Sequence, residues 1–171
     1  MEWLDGEDLA ARLARESLTV GESVELVRRA AEALHVAHSR GVIHRDIKPS
    51  NLFLCGGRID RVKLLDFGIA RMHASPSGAL ARNGIVIGTP GYMSPEQAMD
   101  GLLDARTDIF SLGCVLFECL AGEPPFLAED NMALLAKILL QDAPRVRDIR
   151  GDIDPALDEI LAGMLAKEVN A

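Results

Sequence analysis

From Val20 to Arg40 apolar residues recur at Val24, Val27, Ala31, Leu34 and Ala37, the spacing of a single helical face. Thr19 and Glu22 stand at capping-box spacing just ahead, and Gly41 supplies a stop, so one long helix is predicted there. The pattern then shortens to strand-like runs at Val42-Ile43, Leu52-Phe53-Leu54 and Val62-Lys63-Leu64-Leu65, the last two separated by the turn-prone CGGRID. Residues 70–88 show no strong period and carry Ser, Gly, Pro and Asn, which predicts a long functional loop. Helical spacing returns beyond it. Ser94-Pro95-Glu96 pairs a cap with proline at the first helical position, Thr107 to Ala121 is mostly apolar and ends at Gly122, Met132 to Gln141 is amphipathic, and Asp154-Pro155 opens a helix towards Lys167. The fold class is therefore mainly α with a small β region, in one domain without repeats or an interdomain linker.

Composition narrows the functions open to such a chain. An apolar share of 49% over 171 residues fits a packed domain. With 26 acidic against 18 basic residues the net charge is -8, which argues against nucleic acid or an anionic membrane surface as partner. Any bound phosphate must be held locally. Cys55, Cys114 and Cys119 form no CxxC pair, so neither a zinc site nor a disulfide framework is expected, and a reducing cytoplasmic setting is the default. The acidic start, MEWLDGEDLA, does not resemble a signal peptide, and the run from Ile109 to Leu120 is too short to span a bilayer.

The candidate chemistry lies in His44-Arg45-Asp46-Ile47-Lys48-Pro49-Ser50-Asn51 and in Asp66, at the end of the following strand-like run. A carboxylate can accept the proton of an attacking hydroxyl. An ammonium can neutralise charge developing on a transferred phosphoryl group, and an amide oxygen with a second carboxylate can ligate magnesium. His35 and His38 lie three apart on the long helix without an evident third partner, and read as ordinary helix residues.

HRDIKPSN, Asp66-Phe67-Gly68 and Ser94-Pro95-Glu96, in that order, resemble the catalytic loop, DFG and APE signatures of eukaryotic-like protein kinases, and DIKPSN with GTPGYMSPEQA resembles the bacterial serine/threonine type. The resemblance covers the whole of 1–171. It implies a partial kinase domain comprising the hinge (MEWLDGEDL), the catalytic loop, the activation segment and the central helix of the large lobe (DARTDIFSLGCVLFECLAGEPPF). By resemblance Asp46 is the catalytic base, Lys48 steadies the γ-phosphate of ATP, and Asn51 and Asp66 ligate magnesium. Backbone groups at Glu2 and Leu4 would meet adenine, Asp8 the ribose, and Phe53 would form the floor under the base. Asp108 would brace the HRD backbone, with His44 and Phe67 in the apolar spine. Lys48 and Thr89 point to serine or threonine acceptors on a protein substrate. Arg45 can receive an activation-loop phosphate, for which Ser75 and Ser77 are the candidates.

Two departures from the pattern matter. Neither a GxGxxG loop nor a VAIK-like lysine precedes the catalytic loop, which implies a large (C-terminal) lobe with the N-terminal lobe absent, inactive by itself. The arginine that usually pairs with Glu96 in the family is also missing after LAKEVNA, which leads us to expect a buried unpaired carboxylate and lowered stability. A non-catalytic interaction or regulatory module is the competing reading, and a small-molecule phosphotransferase the third.

Overall fold

The computed structural model describes residues 3–67 and 90–167. The expectations placed on Glu2, Gly68, Ser75, Ser77 and Thr89, and the loop over 70–88, lie outside the described residues. Three short strands, β1 (Gly6–Asp8), β2 (Leu52–Cys55) and β3 (Val62–Leu64), form an antiparallel sheet in the order β1-β2-β3. Around it stand α1 (Leu9–Arg15), α2 (Val20–His38), α3 (Pro95–Ala98), α4 (Ala105–Ala121), α5 (Asn131–Leu140), α6 (Val146–Ile149) and α7 (Pro155–Met164).

The long predicted helix is α2. Thr19 Oγ1 accepts from Glu22 N at 3.2 Å while Glu22 Oε2 accepts from Thr19 N at 2.9 Å, so both halves of the box are made. Gly41 then turns at φ 73°, which a side chain would resist, and Val42 N donates back to Ala37 O at 3.0 Å. The inward stripe of α2, with Leu26, Ala30 and Leu34 fully buried, packs against α4. Helix α4 begins two residues earlier than the apolar pattern predicts, because Asp104 Oδ1 caps it by accepting from Arg106 N at 2.8 Å. From Thr107 to Phe117 the helix is buried almost all round, which makes it the central post of the core.

Two differences from the sequence pattern stand out in the β region. Val42-Ile43 is not a strand: the segment carries the chain from the end of α2 to the buried His44, and the amides that follow bond to a side chain instead of to a neighbouring strand. Conversely Gly6–Asp8 is a strand although its residues are poor strand formers, because β2 offers it an edge, with Gly6 opposite Cys55 and Asp8 opposite Phe53. Gly6 has φ 139°, and a Cβ there would sit 2.0 Å from Leu54 O, so only glycine lets the two backbones approach. The hairpin of β2 and β3 matches the prediction, with Leu52 opposite Leu64 and the completely buried Leu52 and Leu54 turned into the core.

Candidate catalytic site

The hairpin delivers the candidate residues to one place. Pro49 opens a single 3₁₀ turn, Pro49–Asn51, whose last residue leads directly into β2. Leu65 N donates to Asn51 O at 2.9 Å, so the start of β2 is tied to the end of β3, and Asp66 leaves the sheet one residue past that tie. The Asn51 side chain is 7% exposed and reaches back to the loop: Nδ2 donates to Asp46 O at 2.8 Å and to Asp46 Oδ2 at 2.9 Å. Lys48 Nζ lies 2.9 Å from the same Oδ2. One carboxylate oxygen of Asp46 is thus held by an amide and an ammonium, and the Asn51 amide, with its nitrogen engaged, is left with Oδ1 as the end able to ligate a cation.

Beneath this loop lies Asp108, fully buried in the first turn of α4. Its Oδ2 accepts from His44 N at 2.8 Å, its Oδ1 from Arg45 N at 2.8 Å, and His38 Nε2 donates to Oδ2 at 2.7 Å. A buried carboxylate satisfied by three donors is a stable anchor. The bracing role expected of Asp108 has this geometry. His38, which the sequence offered only as a helix residue, proves to be part of the anchor; its position at the end of α2, next to the turn into the loop, was the available signal.

The backbone is strained where the chemistry is expected. Among the described residues three non-glycines have positive φ, and two of them are Arg45 at 67° and Asp66 at 52°. Such conformations cost about 1–3 kcal/mol each and persist only where neighbours enforce them. At Arg45 the enforcement is visible: Asp108 holds its N–H, and Gln97 Nε2 of α3 donates to its carbonyl at 2.9 Å.

His44 is completely buried. Its Nε2 donates to Leu65 O at 2.9 Å, which fixes the tautomer and leaves Nδ1 facing Asp46 N at 3.4 Å. Its ring lies 4.5 Å from that of Phe67, the pairing expected of the apolar spine. Burial pushes the imidazole below its ordinary 6.5, against the opposing pull of Asp108, the Leu65 carbonyl, Asp46 and Asp66, so His44 is held neutral.

The expected nucleotide-binding residues are less closely gathered. Asp8 caps α1, its Oδ1 accepting from Ala11 N at 2.8 Å, and lies opposite Phe53 across the β1-β2 ladder. Phe53 is half-buried on the sheet face opposite Leu52 and Leu54, while Leu4 is half-buried in a shallow cleft it shares with Trp3, Val62 and Lys63. Asp8 and Phe53 are thus cross-strand neighbours, whereas Leu4 precedes β1 and lines a cleft with Cys55 and Val62.

On the other side of the catalytic loop, Lys48, Pro49, Ser50, Tyr92 and Glu118 line an open groove with α1. Tyr92 donates its hydroxyl to Glu118 Oε2 at 2.7 Å, and burial raises the affinity of both groups for their protons. Glu96 differs from expectation. It is half-buried and accepts from Thr107 Oγ1 at 2.7 Å, so its carboxylate has a protein partner and the penalty of a buried unpaired charge does not apply in full.

The donors fit magnesium: Asn51 and Asp66 offer hard oxygens from both ends of one hairpin, and an ion that keeps several waters and phosphate oxygens needs few protein ligands. No cluster of three or more His, Cys, Asp or Glu able to hold a metal occurs among the described residues. No described helix is long and apolar enough to cross a membrane.

A family profile described as "Protein kinase domain" matches residues 1–171. The chain is 38% identical over 168 residues to the serine/threonine-protein kinase PknB of Mycolicibacterium smegmatis, covering 98% of this chain and 27% of that protein. It is 41% identical over 169 residues to PknD of Mycobacterium tuberculosis, covering 98% of this chain and 25% of the relative. The chain thus spans about a quarter of the length of these curated relatives. Among solved structures, the Mycobacterium tuberculosis PknI kinase domain superposes with a TM-score of 0.70 at 28% identity, over 98% of this chain and 56% of that one.

Proposed function

We propose, from the premise that this chain belongs to the protein kinase family, of the bacterial serine/threonine type, that it supplies the acceptor side of phosphoryl transfer from ATP to a protein hydroxyl. The observation that carries the reading is the Asp46 carboxylate, with one oxygen fixed by Asn51 and Lys48 and its loop anchored on Asp108. A base held in this way is pre-oriented for an incoming hydroxyl. Asp46 orients the acceptor and takes its proton as the hydroxyl oxygen bonds to the γ-phosphorus of ATP and the bond from that phosphorus to the β-γ bridging oxygen breaks, with ADP as the leaving group. Lys48, already beside that carboxylate, offsets the charge of the transferred phosphoryl group. Asn51 and Asp66 would hold magnesium, which when bound neutralises phosphate charge.

Residues 1–171 are then the hinge and large lobe of a kinase domain, with Glu2, Leu4, Asp8 and Phe53 as the residues assigned to the nucleotide. Serine or threonine is the acceptor, a reading supported by Lys48 two positions after the base. An ATP-rich reducing compartment, the cytoplasm, fits three cysteines that are all free.

The test compares the 171-residue chain with the full-length polypeptide that carries it, each with and without Asp46→Asn, for transfer of labelled phosphate to a generic basic protein. We expect transfer by the full-length protein, a loss of roughly 10²–10⁴-fold with Asp46→Asn, and negligible turnover by the 171-residue chain. A folded full-length protein without transfer would support a non-catalytic module, and transfer to a small molecule alone would redirect the reading to another phosphotransferase.

A further inference from the structure

Gln97 is the third residue of α3, and its side-chain amide has two separate partners. Oε1 accepts from Ser94 N at 3.1 Å, while Ser94 Oγ accepts from Gln97 N at 3.4 Å, which closes a capping box. Glutamate at the same place would close that box equally well. What the amide alone adds is a donor, and Nε2 gives it to the carbonyl of Arg45, 52 positions earlier in the chain, at 2.9 Å. That carbonyl belongs to the peptide linking Arg45 to Asp46. With φ at 67°, Arg45 occupies a well it would leave if released, and any rotation of the following peptide swings Asp46 with it. The N–H of Arg45 is fixed from below by Asp108 and its C=O from the side by Gln97. The cleft between loop and helix, lined by Arg45, Asp46, Tyr92, Met93 and Gln97, measures only about 10 Å³. That is about the space of one water molecule, so at most one solvent molecule could stand in for the lost donor without the loop and helix moving apart.

We propose that Gln97 is a positioning residue for phosphoryl transfer: by holding the Arg45 carbonyl it sets the direction of Asp46, and it makes the base depend on the seating of α3. The inference rests on the proposed function, since Asp46 is taken to be the base. It adds a specific dependence, that displacement of α3 releases the peptide before Asp46 while leaving Asn51, Lys48 and Asp66 in place.

The experiment uses the full-length polypeptide carrying this chain, with Gln97→Glu, Gln97→Lys and Asp46→Asn. Melting temperature, kcat, KM for ATP and amide hydrogen exchange over residues 44–51 are read for each. Gln97→Glu keeps the cap acceptor and loses the donor. We expect its melting temperature within about 2 °C of the parent, KM for ATP within about two-fold and kcat lower by about ten-fold or more, with faster exchange over 44–51. Its deficit should narrow as pH falls and the carboxyl group regains a proton to donate. Gln97→Lys keeps a donor and loses the cap, so it should be the less stable of the two and retain more kcat. If Gln97→Glu leaves both kcat and exchange unchanged, or if the two variants lose kcat equally, the carbonyl tie does not position the base and the proposal falls. Absence of transfer by the parent, or transfer that survives Asp46→Asn, would count instead against the proposed function. The exchange data would then still decide whether Gln97 fixes the loop.

Discussion

Replacing Asp108 tests the anchor of the catalytic loop directly. Its two oxygens accept from His44 N, Arg45 N and His38 Nε2 at 2.7–2.8 Å, in a site with no solvent exposure. Asp108→Ala would strand all three donors. At about 1–3 kcal/mol for each buried group left unsatisfied, with partial relaxation, the loss is roughly 3–6 kcal/mol. Asp108→Asn keeps the shape and one good acceptor, but its NH₂ group must face a donor, so roughly 2–4 kcal/mol is expected. For a chain of this size about 1 kcal/mol moves the melting temperature by roughly 2–4 °C, which makes the Asn variant melt roughly 4–16 °C lower. Urea denaturation followed by circular dichroism gives the free energy itself. Asp104→Asn is the control: it changes the same charge on the exposed cap of the same helix, where Asn and Asp serve about equally, and should cost under about 0.5 kcal/mol. A loss below about 1 kcal/mol for Asp108→Asn, or equal losses at both positions, would refute the bracing argument.

Two further outcomes follow from buried titratable groups. His44 is held neutral by burial below its ordinary 6.5, while the unfolded chain protonates it near that value, so its contribution to stability is complete above about pH 6.5 and is lost as pH falls towards the depressed folded value. Urea midpoints across that range should fall with acidification, and His44→Phe should flatten the slope; an unchanged slope would show that another group is responsible. Cys114 and Cys119 are buried in α4, where burial and the nearby Glu118 push both thiols up, Cys119 to about 12, whereas Cys55 is half-buried on β2. A thiol reagent at about pH 8 should therefore modify Cys55 first and reach the other two only at the rate of unfolding, and prompt reaction of all three would contradict the packing of α4.

Much of this molecule could be read from local signals. The Thr19–Glu22 box, the Ser94-Pro95 start and the glycine after α4 each act within a few residues, and each appears where the pattern puts it. The closeness of Asp46, Lys48 and Asn51 was legible for a related reason: they lie within six positions of sequence, and one hairpin leads from Asn51 to Asp66. What escaped depends on distant partners. Val42-Ile43 has the composition of a strand but no pairing neighbour among the described residues, and Gly6–Asp8 lacks that composition but has one. His38 looked ordinary because its partner is 70 positions away, and the Gln97 donor because its acceptor is 52 away. No periodicity reports contacts of that range.

Those same separations set an order of events during folding. Loop closures of 63, 64 and 70 residues must precede any reward from the Asp108 bonds. Helix α2 and the β2-β3 hairpin can form from local contacts early, but the left-handed turn at Arg45 lacks its Asp108 anchor until α4 docks and its Gln97 tie until α3 does. The working shape of HRDIKPSN is thus acquired late, along with the core. During synthesis, a chain that has not yet emerged as far as residue 108 carries every residue of that loop but not the carboxylate that anchors it.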